Sequence, residues 1–189
     1  MRRAALVLAL ALAACGQSAP QAPRAEATVA PTNPAAAPPM LTMSAEAFGP
    51  VRIGMSIAEA SAALGRPLIV DAGLEDSVEC QTFRVESDPR ENEIYYMARN
   101  GRISRVTDEG APDARTAQGL GLGSTDAQIR AAFPHARTEP APYEEAPAHD
   151  LVVWVRPNTR GLRFEMSAQG VATALHVGDD SILYIEGCA

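Results

Sequence analysis

Ile53-Gly54-Met55-Ser56-Ile57-Ala58-Glu59-Ala60 reads as a turn into a helix, and 69 residues later Leu122-Gly123-Ser124-Thr125-Asp126-Ala127-Gln128-Ile129 reads the same way. Ser56 with Glu59, and Thr125 with Gln128, have capping-box spacing: the hydroxyl accepts from an orphan amide and the N3 side chain reaches back. Ile57, Ala60 and Leu64 then share one helical face, as do Ile129, Ala132 and Phe133. Gly65 with Pro67 ends the first helix and Pro134 the second. The 69-residue offset continues without gaps. It carries Ala62-Ala63 to Ala131-Ala132, Tyr95 to Phe164, Met97 to Met166, Gly101 to Gly170, Ser104 to Thr173 and Val106 to Leu175.

Strands follow each helix. Gln81–Val85 and Leu162–Met166 alternate apolar with polar, so each has one face for a core. Asn100-Gly101 joins Ile94–Arg99 to Arg102–Thr107 as a tight hairpin, because both turn positions accept positive φ. Gln169-Gly170 is expected to repeat that hairpin, and Ser181–Glu186 to form a last strand. The expectation is an α+β fold of two tandem repeats, residues 44–112 and 113–189. Each repeat is a short helix plus an antiparallel β-meander, with the helices packed on one face of the sheet.

Upstream, Arg2-Arg3 precede an apolar run from Ala4 to Ala14 that ends in Leu12-Ala13-Ala14-Cys15. A charged start, a short apolar middle and small residues before a cut site make a secretory signal. Eleven apolar residues are too few to span a bilayer, which takes about 20. The cysteine after the small residues resembles a bacterial lipobox. That resemblance implies a signal peptide over residues 1–14, a lipidated Cys15 at the mature N-terminus and, with Gly16 next, an address at the outer membrane. The alternative is an ordinary secretory signal with Cys15 incidental. Residues 15–43 are rich in Ala and Pro and read as a disordered tether with too little apolar material to offset ordering.

Every basic residue is Arg, and past residue 43 the chain has 13 Arg against 22 Asp and Glu. Nucleic acid is a poor partner for such a chain, since it requires clustered basic residues. Cys80 and Cys188 remain after Cys15. An even pair in an exported domain is most simply a disulfide.

Gly54-Met55-Ser56-x-x-Glu59-Ala60-x-x-x-Leu64-Gly65-x-Pro67 resembles the signature of small outer-membrane-assembly lipoproteins. Two tandem copies of the helix-plus-sheet unit resemble the β-lactamase inhibitor protein fold. The ending Tyr184-Ile185-Glu186-Gly187-Cys188 is similar to that of some uncharacterised proteobacterial lipoproteins. The assembly lipoproteins have one unit where two are expected in this chain. The matching residues are the turn and the cap, so the resemblance implies fold and compartment and only points towards protein binding.

No residue set carries an evident reaction. Gly119-Leu120-Gly121-Leu122-Gly123 lacks the spacing and the Lys of a phosphate loop. His135, His149 and His176 have no ligand-spaced neighbours, so neither metal nor cofactor is expected. Glu144-Glu145 and Asp179-Asp180 read as solvated loops. Trp154, the only Trp, is a core residue or an interface anchor. If Tyr95 packs as Phe164 does, Tyr96 faces outward near Arg105 and forms a recognition patch. Tyr143, before two acids, is a further candidate contact. The sequence therefore reads as a non-enzymatic lipoprotein, membrane-anchored by lipid on the periplasmic side of the outer membrane, that binds another envelope protein. One rival is an inhibitor of a periplasmic hydrolase. The other is an enzyme acting on wall or lipid, which a pocket joining a His to a carboxylate would favour.

Overall fold

Both capping boxes form. Ser56 N donates to Glu59 Oε2 at 2.8 Å while Glu59 N donates back to Ser56 Oγ at 3.3 Å; Thr125 and Gln128 repeat the exchange at 2.8 and 3.3 Å. They start α1 (Ile57–Leu64) and α2 (Asp126–Ala132). Gly65 ends α1 in the left-handed region at φ 68°, where a Cβ would be strained. The computed structural model describes residues 41–71, 79–86 and 93–188, and among these it is mostly antiparallel sheet with two α-helices. The leader, Cys15 and the tether as far as residue 40 lie outside the described residues.

One sheet has four short strands: β1 (Thr42–Ser44), β2 (Ala47–Phe48), β3 (Val51–Arg52) and β8 (Arg115–Thr116), in the order β3-β2-β1-β8. The other has eight. The first four are β4 (Leu68–Val70), β5 (Cys80–Val85), β6 (Ile94–Arg99) and β7 (Arg102–Asp108). The last four are β9 (Arg137–Pro140), β10 (His149–Arg156), β11 (Arg160–Met166) and β12 (Ala172–Gly178). Their order is β4-β5-β6-β7-β12-β11-β10-β9, so the middle of the sheet is the antiparallel pair β7–β12.

Register divides the side chains between two faces, because directly paired residues share a face. Phe83, Tyr96, Val106, Val177, Leu162 and Val153 form one unbroken apolar row across six strands. This row belongs to a core that also contains Ala60 of α1, Ile129 of α2, and Met43, Phe48 and Val51 of the small sheet. Phe48 meets Tyr96 edge to face, with ring centroids 6.4 Å apart. The next row, on the opposite face, reads Tyr95, Thr107, His176, Arg163, Val152.

Three expectations are corrected here. The fold begins before residue 44: Met43 is fully buried and β1 pairs with β2 and, in parallel, with β8. Ser181–Glu186 is not a strand. Asp179 caps a 3-10 turn over Asp180–Leu183 by accepting from Ser181 N at 2.9 Å, and the turn wedges buried Ile182 against Gly161. Tyr96 does not face outward; it is 2% exposed and sits in the core. The cause is one residue of hairpin length. Four residues separate the paired Ala98 and Ile103, whereas five separate the paired Met166 and Ala172. The 69-residue offset that aligns Tyr95 with Phe164 therefore does not match their faces: a one-residue difference exchanges the faces of a strand's side chains, and it is Tyr96 that lies, like Phe164, on the core face. For the same reason Gln169-Gly170 is not a copy of the Asn100-Gly101 turn, in which both residues have positive φ (50° and 71°); of the later pair, only Gly170 does.

Candidate functional site

The helix-free face of the large sheet is not a bare surface. After the 3-10 turn the chain crosses it as a strap. Cys188 ends that crossing in a disulfide with Cys80 on β5, with the Cα atoms 5.4 Å apart. Between the strap and the loop after β9 lies a cavity of about 460 Å³. Tyr143 from that loop donates its hydroxyl proton to Glu186 on the strap, joining the two sides of the mouth.

The floor is a wired set of charged side chains. Arg163 is 3% exposed and Arg105 is 8% exposed, both unusual for arginine. Arg163 Nη2 donates to Glu165 Oε1 at 2.6 Å. His176 lies 2.8 Å from the same carboxylate oxygen through Nε2, and its Nδ1 lies 2.9 Å from Thr107 Oγ1. One assignment satisfies both contacts with a neutral ring: Nε2–H donates to Glu165, and Nδ1 accepts from the Thr107 hydroxyl. Arg105 Nη1 donates to the Ser181 and Tyr184 carbonyls at 3.0 and 2.6 Å, so the strap is tied to the sheet through it.

Electrostatics follow from burial. The hydrogen bond from His176 holds Glu165 down at about 2. Burial pushes His176 down to about 4, and the nearby Arg163 adds to that. Burial pushes Arg105 down to about 10, with the like charge of Arg163 second. Asp150, also buried, is pushed up to about 6; Arg163 opposes this only in part, its Nε standing 3.8 Å away.

A pH prediction follows. From about pH 4 to 6.5 the folded state binds fewer protons at His176 than the unfolded chain, so His176 makes stability rise with pH. Asp150 does the opposite between its unfolded value of 3.8 and about 6, since its folded form holds the proton longer. Asp150→Asn removes the opposing slope. Its denaturation free energy should climb by roughly 2 kcal/mol more than that of the parent between pH 4 and 6.5, read by urea titration. Parallel pH profiles for the two proteins would contradict this assignment.

The candidate residues from sequence divide clearly. Arg105 and Tyr143 both line this cavity, Arg105 as buried floor and Tyr143, 71% exposed, at the mouth. Trp154 lies on the same face but is not part of the lining; it is half-buried and packs on Gly161. Tyr96 is in the core, and Tyr95 lines the cavity in its stead. Sequence reasoning did not single out Arg163, Glu165, Asp150, Thr107 or His176 as a site. The available signal was a run of charged residues at strand positions between apolar ones, which ordinarily marks a solvated face. The acidic pair Asp179 and Asp180 is not idle solvent-facing charge, because both bind Arg99.

Among the described residues no group of three or more His, Cys, Asp or Glu is placed to hold a metal ion, and no helix is long and apolar enough to cross a membrane. Comparison with protein-family models, with curated proteins and with solved structures finds no match to this chain.

Proposed function

We propose that this protein is a lipid-anchored binding module of the bacterial outer membrane, facing the periplasm, that grips another envelope protein at the helix-free face of its sheet. The observation that carries this reading is the cavity between strap and loop, whose floor is buried charge and whose mouth presents Tyr143. The lipobox-like Leu12–Cys15 supports the anchor, and the disulfide suits an oxidising compartment.

The module is read as a duplicated helix-plus-meander unit, joined at β7–β12. Hydrogen bonds at the 69-residue offset favour this: Gly54 N to Ile103 O at 2.7 Å matches Gly123 N to Ala172 O at 2.8 Å. Ile103 N to Met55 O likewise matches Ala172 N to Ser124 O, both at 2.8 Å. The isolated bridges Ser56–Arg102 and Thr125–Val171 obey the same spacing.

The enzyme reading gains one specific observation, since Thr107, His176 and Glu165 line up as hydroxyl, imidazole and carboxylate. Their electrostatics oppose catalysis. A general base works best with a pKa near the operating pH. His176 is held at about 4, and Arg163 Nη2 stands 3.0 Å from its Nε2, so an imidazolium there is disfavoured. The row is better read as a rigid floor that fixes Arg163. The inhibitor reading rests on Tyr143 with Glu144, an exposed aromatic beside an acid at the mouth.

The test is photo-crosslinking in cells from Tyr143 and Tyr95, with exposed Arg137 on edge strand β9 as the control position. A protein adduct at the first two and not at Arg137 supports the binding reading, and a hydrolase in that adduct supports the inhibitor form of it. Absence of any adduct at Tyr143 and Tyr95 overturns it. In the same cells Cys15→Ser should move the protein from the membrane pellet to the soluble fraction; retention in the pellet contradicts the anchor.

A further inference from the structure

We infer that the cavity binds a primary ammonium group carried on an alkyl stem, either a lysine side chain of the gripped protein or a free diamine. This rests on the reading of that cavity as the gripping site. Asp150 carries the inference. Its side chain is more than nine-tenths buried and lines the cavity, yet it accepts no hydrogen bond among the described residues. Arg163 Nε stands 3.8 Å away, beyond hydrogen-bond reach, and Arg163 already donates to Glu165. Among the described residues, the partnerless side-chain atoms closed off from solvent include the Nε of Arg105 and of Arg163 but neither oxygen of Asp150, so this carboxylate opens on the cavity. A buried carboxylate without donors is costly, and natural folds rarely leave one. Burial alone pushes its carboxyl up to about 6, and a positively charged donor beside it restores the ionised form.

The rest of the lining narrows the class. Asp71, Glu109, Glu144, Glu165 and Glu186 accompany Asp150, against Arg105 and Arg163. Three of these acids are already matched: Asp71 binds Arg84, which stands outside the lining, Glu165 holds Arg163 and His176, and Glu186 accepts from Tyr143. Glu109 and Glu144 have no ion-pair partner among the described residues. Such a lining repels an anion and draws in a cation. No group of three His, Cys, Asp or Glu among the described residues is placed to hold a metal ion, which favours an organic cation. Ala141, Pro142, Met166 and Ile185 give the cavity an apolar wall that suits a methylene stem, and Tyr95 and Tyr143 bring aromatic rings to a charged head. A volume of about 460 Å³ falls within the usual range for small-ligand sites and has room for a lysine side chain. The chain contains no Lys, so no lysine of its own competes for the site.

The experiment uses the full chain with acetyl-lysine amide, free at its side-chain amine, as probe. The comparison ligands are acetyl-norleucine amide, which has the stem without the charge, then cadaverine, acetate, calcium ion, and a hexapeptide with one central Lys. Binding is read by calorimetry and by the NMR signals of the tyrosine rings. The lysine probe should bind and shift the ring signals of Tyr95 and Tyr143, and the norleucine probe should bind at least about tenfold more weakly, as expected for one lost charged hydrogen bond. Acetate and calcium ion should not compete. Hexapeptide binding as tight as that of the lysine probe supports a polypeptide side chain as the source; binding of cadaverine alone among the amines supports a free diamine. Binding of the lysine and norleucine probes with equal affinity, no binding by any amine, or displacement of the amine by calcium ion at equal concentration overturns the inference. Asp150→Asn keeps the shape, removes the charge and should weaken the amine about tenfold; unchanged affinity in that variant also overturns the inference. If the variant does not fold, the lysine–norleucine comparison on the parent protein still decides. A silent titration beside a Tyr143 adduct in cells sinks this inference alone. Amine binding with no adduct sinks the protein-partner reading alone.

Discussion

Replacing Cys80 and Cys188 together by serine is expected to lower the unfolding free energy by about 4 kcal/mol. The crosslink closes a loop with a sequence separation of 108, and in the chain-entropy model a loop of that length constrains the unfolded ensemble by about 4–5 kcal/mol. The same change loosens the cavity. The strap supplies the carbonyl acceptors of Arg105, and Gly187 passes beside the Arg105 guanidinium. If the strap lifts, Arg105 loses those acceptors while Arg163, wired to Glu165 and His176, keeps its own. Loss of stability should therefore be accompanied by loss of the Tyr143 adduct under conditions where the sheet is still folded. The readouts are the urea midpoint and photo-crosslinking, with Trp154 fluorescence to report folding. A double variant that loses less than about 1 kcal/mol, or that keeps the Tyr143 adduct, would show that the strap does not depend on the disulfide.

Helix starts were legible because they are local: a hydroxyl and an acid or amide three residues on suffice to form the cap at Ser56 and at Thr125. Hairpins were legible where the turn chemistry was strong, as at Asn100-Gly101. The cavity was not. Its floor is a row across neighbouring strands, and Tyr95, Thr107, His176 and Arg163 become neighbours only through the pairings β6–β7, β7–β12 and β12–β11. Nothing in the local sequence states that β7 pairs with β12. Arg105 was singled out for the wrong reason, as an exposed partner of Tyr96; in fact the strap buries it. The strap itself was read as a strand because Ile182, Tyr184 and Glu186 alternate, yet the Asp179 cap and the wedge of Ile182 overrule that pattern.

The sharpest consequence of the one-residue slip is a pair of neighbouring substitutions with very different effects. Tyr96→Ala should cost about 3–4 kcal/mol, the range for deleting a buried aromatic ring. Tyr96 is 2% exposed, packs edge to face on Phe48, and occupies the apolar row between Phe83 and Val106, so the cavity left behind has little means to collapse. Tyr95→Ala should cost no more than about 1 kcal/mol, the ordinary scale for a partly exposed site. Its ring is half-buried and lines the cavity, so its loss should leave the urea midpoint nearly unchanged. A gapless 69-residue alignment demands the reverse, with Tyr95 in the core beside the position of Phe164. Measuring both variants by urea denaturation therefore decides between two registers of one strand. A larger loss at Tyr95 than at Tyr96 would place β6 one residue out, with Tyr95 and Met97 turned towards the apolar core and Tyr96 towards the cavity.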